Sequence, residues 1–113
     1  MKSKIAALTR NEDFKQLLKG KKISNKYLTI YFSELLNKKN KKLNISFVTK
    51  KKLGNAVKRN KIKRRLRNIM NEAIKNIPVN FDYSYLVIAK LTMLDNEYAK
   101  IKEKLFADFK RIK

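Results

Sequence analysis

The segment that decides the fold is Gly54–Ile77, which reads GNAVKRNKIKRRLRNIMNEAIKNI. Its apolar residues recur at helical spacing, so we predict one long helix that opens at Gly54-Asn55, runs to about Asn76 and is stopped by Pro78. The buried stripe of this helix is predicted to be Ile62, Leu66, Ile69, Ala73 and Ile77. At about 100° per residue, the opposite side carries Asn60, Arg64 and Arg67, with Lys61 and Lys63 on the flanks. The sequence thus predicts a helix with one core face and one cationic face.

Three flanking segments have the patterns of strands. Tyr27–Phe32 alternates, with Leu28, Ile30 and Phe32 on one face and Tyr27, Thr29 and Tyr31 on the other. Leu43–Thr49 places Leu43, Ile45 and Phe47 on one face. These two strands are expected to form a hairpin across a polar turn at Asn37–Lys42. Tyr83–Leu91 is apolar on both faces, which indicates a central strand.

The two ends of the chain are predicted to be helical, apart from a basic, mobile arm over residues 1–10 that Ile5 and Leu8 anchor. Asn11 can cap a first helix, whose apolar stripe is Phe14, Leu17 and Leu18 and which ends at Gly20. A last helix is expected to begin near Thr92 or Asp95. Its stripe is Leu94, Tyr98, Ile101, Leu105, Phe109 and Ile112.

The resulting element order is α-β-β-α-β-α. The second strand, the long helix and the central strand make a βαβ unit, which favours a sheet packed under helices. We therefore predict one α+β domain over residues 1–113, an α/β sandwich with a central, mostly antiparallel sheet and a βαβ crossover.

The net charge of the chain limits the classes of partner that it is expected to bind. Lys and Arg number 30 against 9 Asp and Glu, a formal net charge of +21. The stretch from Leu35 to Asn71 contains no acidic residue but 14 of the basic ones. A polyanion would relieve this self-repulsion, with nucleic acid the first candidate and an anionic membrane the second. No apolar run approaches the roughly 20 residues that span a bilayer, and no signal peptide is apparent. The expected location is the cytoplasm, without a membrane partner.

The chain is poorly equipped for hydrolysis of its own. It has no His and no Cys, which removes the commonest general base and the thiolate metal ligands. Its nine carboxylates are scattered along the sequence. RNA binding, by contrast, needs cations for phosphates and aromatic rings for unstacked bases, and both are present.

The stretch Phe47–Arg67, FVTKKKLGNAVKRNKIKRRLR, resembles the hallmark of the bacterial ribonuclease P protein component. That family reads Lys-Lys, a spacer, Gly, Ala-Val, Arg-Asn-Arg, Lys-Arg and a further Arg on one helix. The matching residues are Lys51, Lys52, Gly54, Ala56, Val57, Arg59, Asn60, Lys61, Lys63, Arg64 and Arg67. Lys61 replaces the second Arg of the triplet, which keeps the charge but loses the bidentate fork.

The resemblance implies the non-catalytic protein subunit of a ribonucleoprotein endonuclease that removes the 5′ leader from precursor tRNA. The catalytic RNA would perform the chemistry with Mg²⁺ that is bound mainly by RNA, and the protein is expected to hold no metal and to require no protein partner. The residues expected to bind the RNA subunit are Lys51, Lys52, Arg59, Asn60, Lys61, Lys63, Arg64 and Arg67. Those expected to line the leader groove are Phe14, Leu18, Tyr31, Thr29 and Val48. For Phe14 and Leu18, packing in the core is the alternative interpretation.

Two other classes are weighed against this one. A ribosomal or other structural rRNA-binding protein would share the composition, and only the spacing from Lys51 to Arg67 favours ribonuclease P. A nucleoid DNA-binding protein should show a helix-turn-helix or dimer features, and the sequence has none that we find.

Overall fold

The computed structural model describes residues 5–8, 10–34, 42–95 and 97–112, with residues 94 and 95 as backbone only. The strands are β1 (Ile5–Ala6), β2 (Lys21–Ser24), β3 (Leu28–Glu34), β4 (Leu43–Val48) and β5 (Tyr83–Ala89). The helices are α1 (Asn11–Leu18), α2 (Ala56–Asn76) and α3 (Tyr98–Arg111), and 3₁₀ turns occur at Lys51–Leu53 and Leu91–Asp95. Residues 37–41 of the predicted polar turn lie outside the described residues.

The strands form a single sheet in the order β1-β4-β5-β3-β2 within the described residues. β5 is central, as its apolar character on both faces predicts. It pairs in parallel with β4, where Ile45 faces Tyr85, and antiparallel with β3, where Ile30 faces Val87. The two antiparallel pairings, β2 with β3 and β3 with β5, together join more residue pairs than the two parallel ones, because β3 pairs with β5 along seven residues. The predicted α+β class, with a mostly antiparallel sheet and a βαβ unit formed by β4, α2 and β5, is confirmed.

The predicted hairpin between β3 and β4 is wrong, because β5 lies between these two strands. The partner of β3 on its other side is β2, which the sequence did not indicate and which joins it through a turn at Asn25. β1 was also missed. It takes two residues from the predicted basic arm and pairs them with Leu43 and Asn44. Ile5 and Leu8 are both buried, as expected of anchors.

α2 has the predicted bounds and faces. The side chain of Asn55 accepts a hydrogen bond from the backbone N–H of Lys58 at 3.0 Å, which caps the first turn. The predicted stripe residues Ile62, Leu66, Ile69 and Ala73 are buried, and Ile77 is half-buried just beyond the helix. α2 and α3 share the main core with Leu28, Ile30, Tyr85 and Val87 from one face of the sheet.

α1 covers the opposite face of the sheet, where Leu17 packs with Leu8 and Leu86. Its predicted cap is wrong, because Asn11 is already helical and Arg10 takes the cap position without a side-chain cap bond. The Arg10 guanidinium instead reaches Asp13, with Nη2 3.1 Å from Oδ1. This hydrogen bond raises the pKa of Arg10. A Cβ at Gly20 would lie 3.0 Å from the Phe32 carbonyl oxygen, so glycine lets the chain after α1 pass close to β3 without crowding.

α3 begins at Tyr98, later than the predicted start near Thr92 or Asp95. The segment Leu91–Asp95 is a 3₁₀ turn. The predicted start was too early because the sequence of this turn resembles that of an α-helix. The predicted stripe is otherwise confirmed, since Ile101, Leu105, Phe109 and Ile112 are buried and Tyr98 is half-buried. The side chain of Leu94 lies outside the described residues. α3 is tied to α2 by an ion pair between Lys102 Nζ and Glu72 Oε2 at 2.8 Å.

Candidate nucleic-acid interface

The cationic face of α2 is exposed as its spacing predicts. Asn60, Lys61, Lys63, Arg64 and Arg67 all lie on the solvent side of the helix, and Arg59 is half-buried. Among the residues that the structure describes, none of these cations forms an ion pair with a carboxylate. Unpaired cations at a surface favour a polyanionic ligand, which releases counterions when it binds.

The entry to α2 is shaped by the 3₁₀ turn at Lys51–Leu53. Leu53 is buried and anchors the turn, whereas Lys51 and Lys52 are exposed. Gly54 follows with φ +129°, a conformation that side-chain-bearing residues rarely adopt, and it turns the chain into the helix. Lys51 and Lys52 are thereby held just ahead of the cationic face. Val57, in the first helical turn, is 74% exposed.

A cleft of about 620 Å³, which we call the α2 cleft, adjoins this cationic face. β4 contributes Phe47 and Val48 to its lining, and α1 contributes Phe14. α2 contributes Asn60, Lys63, Arg64 and Arg67. The cleft therefore brings aromatic and apolar surface to one side of a strip of cations. This combination suits single-stranded nucleic acid, whose bases and phosphates lie on different sides of the chain.

The described part of the basic arm, residues 5–8, is held at the rim of the α2 cleft. The backbone N–H of Leu8 donates to Ser46 Oγ at 2.9 Å, and Ala7 beside it lines the cleft. Burial of Leu8 against Leu17 and Leu86 adds an apolar anchor. The lining of the α2 cleft thus comes from four separate parts of the chain, which are the basic arm, α1, β4 and α2.

A second cleft of about 410 Å³, which we call the β3 cleft, contains Thr29 and Tyr31. Ile88 of β5 lies beside them, and the surrounding cations are Lys26, Lys50, Lys52 and Lys90. Tyr31 is half-buried, and Lys22 Nζ lies 5.9 Å from the centre of its ring. An aromatic ring surrounded by ammonium groups can stack on a base while the lysines contact neighbouring phosphates.

The residues predicted for one leader groove are thus divided between two clefts. Phe14 and Val48 line the α2 cleft, whereas Thr29 and Tyr31 line the β3 cleft. Leu18 lines neither of them and is 50% exposed, so it also lies outside the buried stripe predicted for α1. Phe14 packs partly against the Leu8-Leu17-Leu86 cluster. Phe14 therefore packs partly in the core and also lines the α2 cleft, while its role in leader binding stays a prediction.

Several residues that line the α2 cleft or the β3 cleft were not predicted from the sequence. Phe47 was assigned only to the core face of β4, but it is half-buried and also lines the α2 cleft. Lys26 and Lys90 both reach the β3 cleft from the end of the β3–β5 pairing where Leu28 faces Ala89, although they lie far apart in sequence. The sequence offers one signal for Lys90, which is its position as a charged residue at the end of an apolar strand. Its Nζ donates to Asn25 O at 2.6 Å and to Ser24 Oγ at 2.8 Å.

In the described part of the chain, no group of three or more acidic side chains is placed to hold a metal ion. None of the described helices is both long and apolar enough to cross a bilayer.

The fold and the site together define a small α+β domain with a cationic helix beside an aromatic cleft. The family model for ribonuclease P matches residues 2–113, and the chain belongs to this family. The ribonuclease P protein component of Carboxydothermus hydrogenoformans is 32% identical over 115 residues, covering 98% of this chain and 94% of the relative. That of Streptococcus pneumoniae serotype 4 is 36% identical over 97 residues, covering 85% and 75%.

Solved structures agree with this assignment. The ribonuclease P protein from Thermotoga maritima superposes with a TM-score of 0.80 at 26% identity, covering 96% of this chain and 98% of that one. The protein from Staphylococcus aureus gives a TM-score of 0.72 at 30% identity, covering 94% and 93%. The resemblance inferred from Phe47–Arg67 is confirmed. The chain is a component of a ribonucleoprotein endonuclease of tRNA processing, which implies an RNA partner.

Proposed function

We propose that the cationic face of α2 binds the catalytic RNA subunit. We further propose that the aromatic and apolar residues of the two clefts, Phe14 and Val48 in the α2 cleft and Thr29 and Tyr31 in the β3 cleft, bind the 5′ leader of precursor tRNA. The observation that carries this proposal is the α2 cleft, whose lining brings together Arg64 and Arg67 of α2 and Phe14 of α1. Cations alone would suit any polyanion. Cations beside exposed aromatic and apolar surface suit unstacked bases, which a single-stranded leader supplies and a duplex does not.

The RNA subunit performs the chemistry in this proposal, with Mg²⁺ bound mainly by RNA. Phosphodiester hydrolysis needs a metal site, a general base or both. The absence of His and Cys from the chain supports an auxiliary role for the protein. Its contribution is to neutralise phosphates that would otherwise repel each other where substrate and catalytic RNA meet. It acts in the cytoplasm without a further protein partner.

Reconstitution tests this function. The protein is mixed with a bacterial ribonuclease P RNA and precursor tRNA at low magnesium, where neutralisation by the protein matters most, and the release of the 5′ leader is followed. We expect the protein to stimulate cleavage and the double variant Arg64→Gln/Arg67→Gln to stimulate it less. Lys110→Gln/Arg111→Gln is the matched control, because it removes the same charge from exposed positions on α3. Absence of stimulation by the unaltered protein would contradict the proposal.

A further inference from the structure

A third cleft, of about 310 Å³, lies against α3 and is called here the α3 cleft. Lys100, Glu103, Lys104 and Ala107 line it from the helix, and Lys26 and Tyr27 line it from the turn before β3. Lys26 also lines the β3 cleft. The two clefts therefore meet at this turn, although Tyr31 and α3 belong to opposite faces of the sheet.

The turn that carries Lys26 is fixed on both sides. The side-chain oxygen of Asn25 accepts hydrogen bonds from the backbone N–H groups of Tyr27 at 2.7 Å and Leu28 at 3.0 Å. Its amide donates to Asp108 Oδ2 at 2.5 Å, on α3. From the β5 side, Lys90 Nζ donates to the Asn25 carbonyl, and the Thr92 hydroxyl donates to the carbonyl of Lys26. These hydrogen bonds thus hold the backbone of Lys26 in place between the β3 cleft and the α3 cleft.

The α3 cleft has the chemistry of a phosphate site. Lys26, Lys100 and Lys104 are exposed, and within the described ranges none of the three forms an ion pair with a carboxylate. Glu103 is the single acid against these three cations among the lining residues. Tyr27 is 3% exposed and has Lys26 Nζ 5.0 Å from its ring centre, so it offers little surface for stacking. Such a site would contact the backbone of a nucleic acid and be tolerant of its sequence.

We propose that the α3 cleft binds phosphates of the distal part of the 5′ leader, which passes from Tyr31 over Lys26 to Lys100 and Lys104. This inference rests on the proposed binding of the leader in the β3 cleft. Continuity of the two clefts through Lys26 favours a flexible single strand over a rigid duplex. The consequence is that affinity for precursor tRNA increases with leader length in two stages, the second of which requires α3.

The test uses the reconstituted holoenzyme and a series of precursor tRNAs whose leaders lengthen stepwise. We compare the unaltered protein, Lys100→Gln/Lys104→Gln, and Lys110→Gln/Arg111→Gln, which removes the same charge from α3 outside the cleft. Each exposed lysine that contacts a phosphate is expected to contribute about two- to fivefold in affinity. The cleft variant should lose this affinity for long leaders, retain that for short leaders, and lower the salt slope by about 0.7 per lost contact. Glu103→Gln should act in the opposite direction, since it removes the opposing charge.

Three outcomes would overturn the inference. If the cleft variant binds long leaders as tightly as the unaltered protein does, α3 makes no contact with them. If it weakens short and long leaders equally, the lysines act on the RNA subunit or through net charge. If the unaltered holoenzyme shows no leader-dependent affinity at all, the leader role under the proposed function fails as well, and the short-leader series separates that case from the first two.

Discussion

Removal of three cations from the α2 cleft should change how strongly RNA binding depends on salt. Lys63, Arg64 and Arg67 line this cleft together and make no ion pair within the described part of the chain. The triple variant to Gln keeps side chains of moderate length and good helix propensity. Because all three positions are exposed, the core packing of α2 should survive.

The magnitude follows from counterion release. Each phosphate that the protein neutralises contributes about 0.7 to 0.9 to the slope of log affinity against log salt, so the triple variant should lose roughly 2 to 3 from that slope. Between about 50 and 200 mM salt, the unaltered protein should therefore lose roughly 20- to 40-fold more affinity than the variant.

The assay is equilibrium binding of the protein to a bacterial ribonuclease P RNA over a salt series. The matched control is Lys75→Gln/Lys110→Gln/Arg111→Gln, which removes the same charge from exposed positions that line none of the three clefts. We expect the control to change the slope little. Equal slopes for the two triple variants would refute the reasoning, because net charge would then account for the effect without any local contact.

Three further predictions concern single residues. Leu66 is 0% exposed at the centre of the α2 stripe, so Leu66→Ala should lower the free energy of unfolding by about 2 to 5 kcal/mol in urea denaturation; a loss below that of a surface substitution would contradict the packing. Asp108 is 1% exposed and accepts from Asn25, so Asp108→Ala should cost about 1.5 to 3 kcal/mol. Asp108→Asn retains an acceptor and should cost less, and equal losses in thermal melts would exclude the hydrogen bond as the cause. Tyr31→Ala should weaken leader-bearing substrate by about 1 to 3 kcal/mol through lost base stacking and spare mature tRNA. Tyr31→Phe keeps the ring and should bind both RNAs as the unaltered protein does; equal weakening of the two RNAs by Tyr31→Ala would argue against stacking.

The long helix was predictable because one periodicity fixes both of its faces. Ile62 and Leu66 are buried and Arg64 is exposed, as their spacing requires. The central position of β5 was also predictable, since a strand that is apolar on both faces needs cover on both. The strands that flank β5 could not be predicted, because the sequence allows β3 and β4 either to pair with each other or to pair with β5. That choice depends on how α2 returns the chain to the sheet.

β2 gave no signal because it is an edge strand. Lys21 and Lys22 are exposed and only Ile23 is half-buried, so no alternation appears in so short a segment. Charged residues on an edge strand also oppose pairing with another chain. The division of the predicted leader-groove residues between two clefts could not be predicted for a related reason. It depends on the position of Ile88 of β5 beside Tyr31, which follows from strand order.

The two faces of α2 share a single helical register, and this restricts how the sequence can change over time. One inserted residue between Ile62 and Leu66 would rotate everything that follows by about 100°. Leu66, Ile69 and Ala73 would leave the core in the same step that removes Arg67 from the cleft. Insertions and deletions within this helix should therefore be eliminated by selection, because each would abolish folding and RNA binding at the same time. Relatives should differ here by substitution alone, while the chain on either side of the helix remains free to lengthen or shorten.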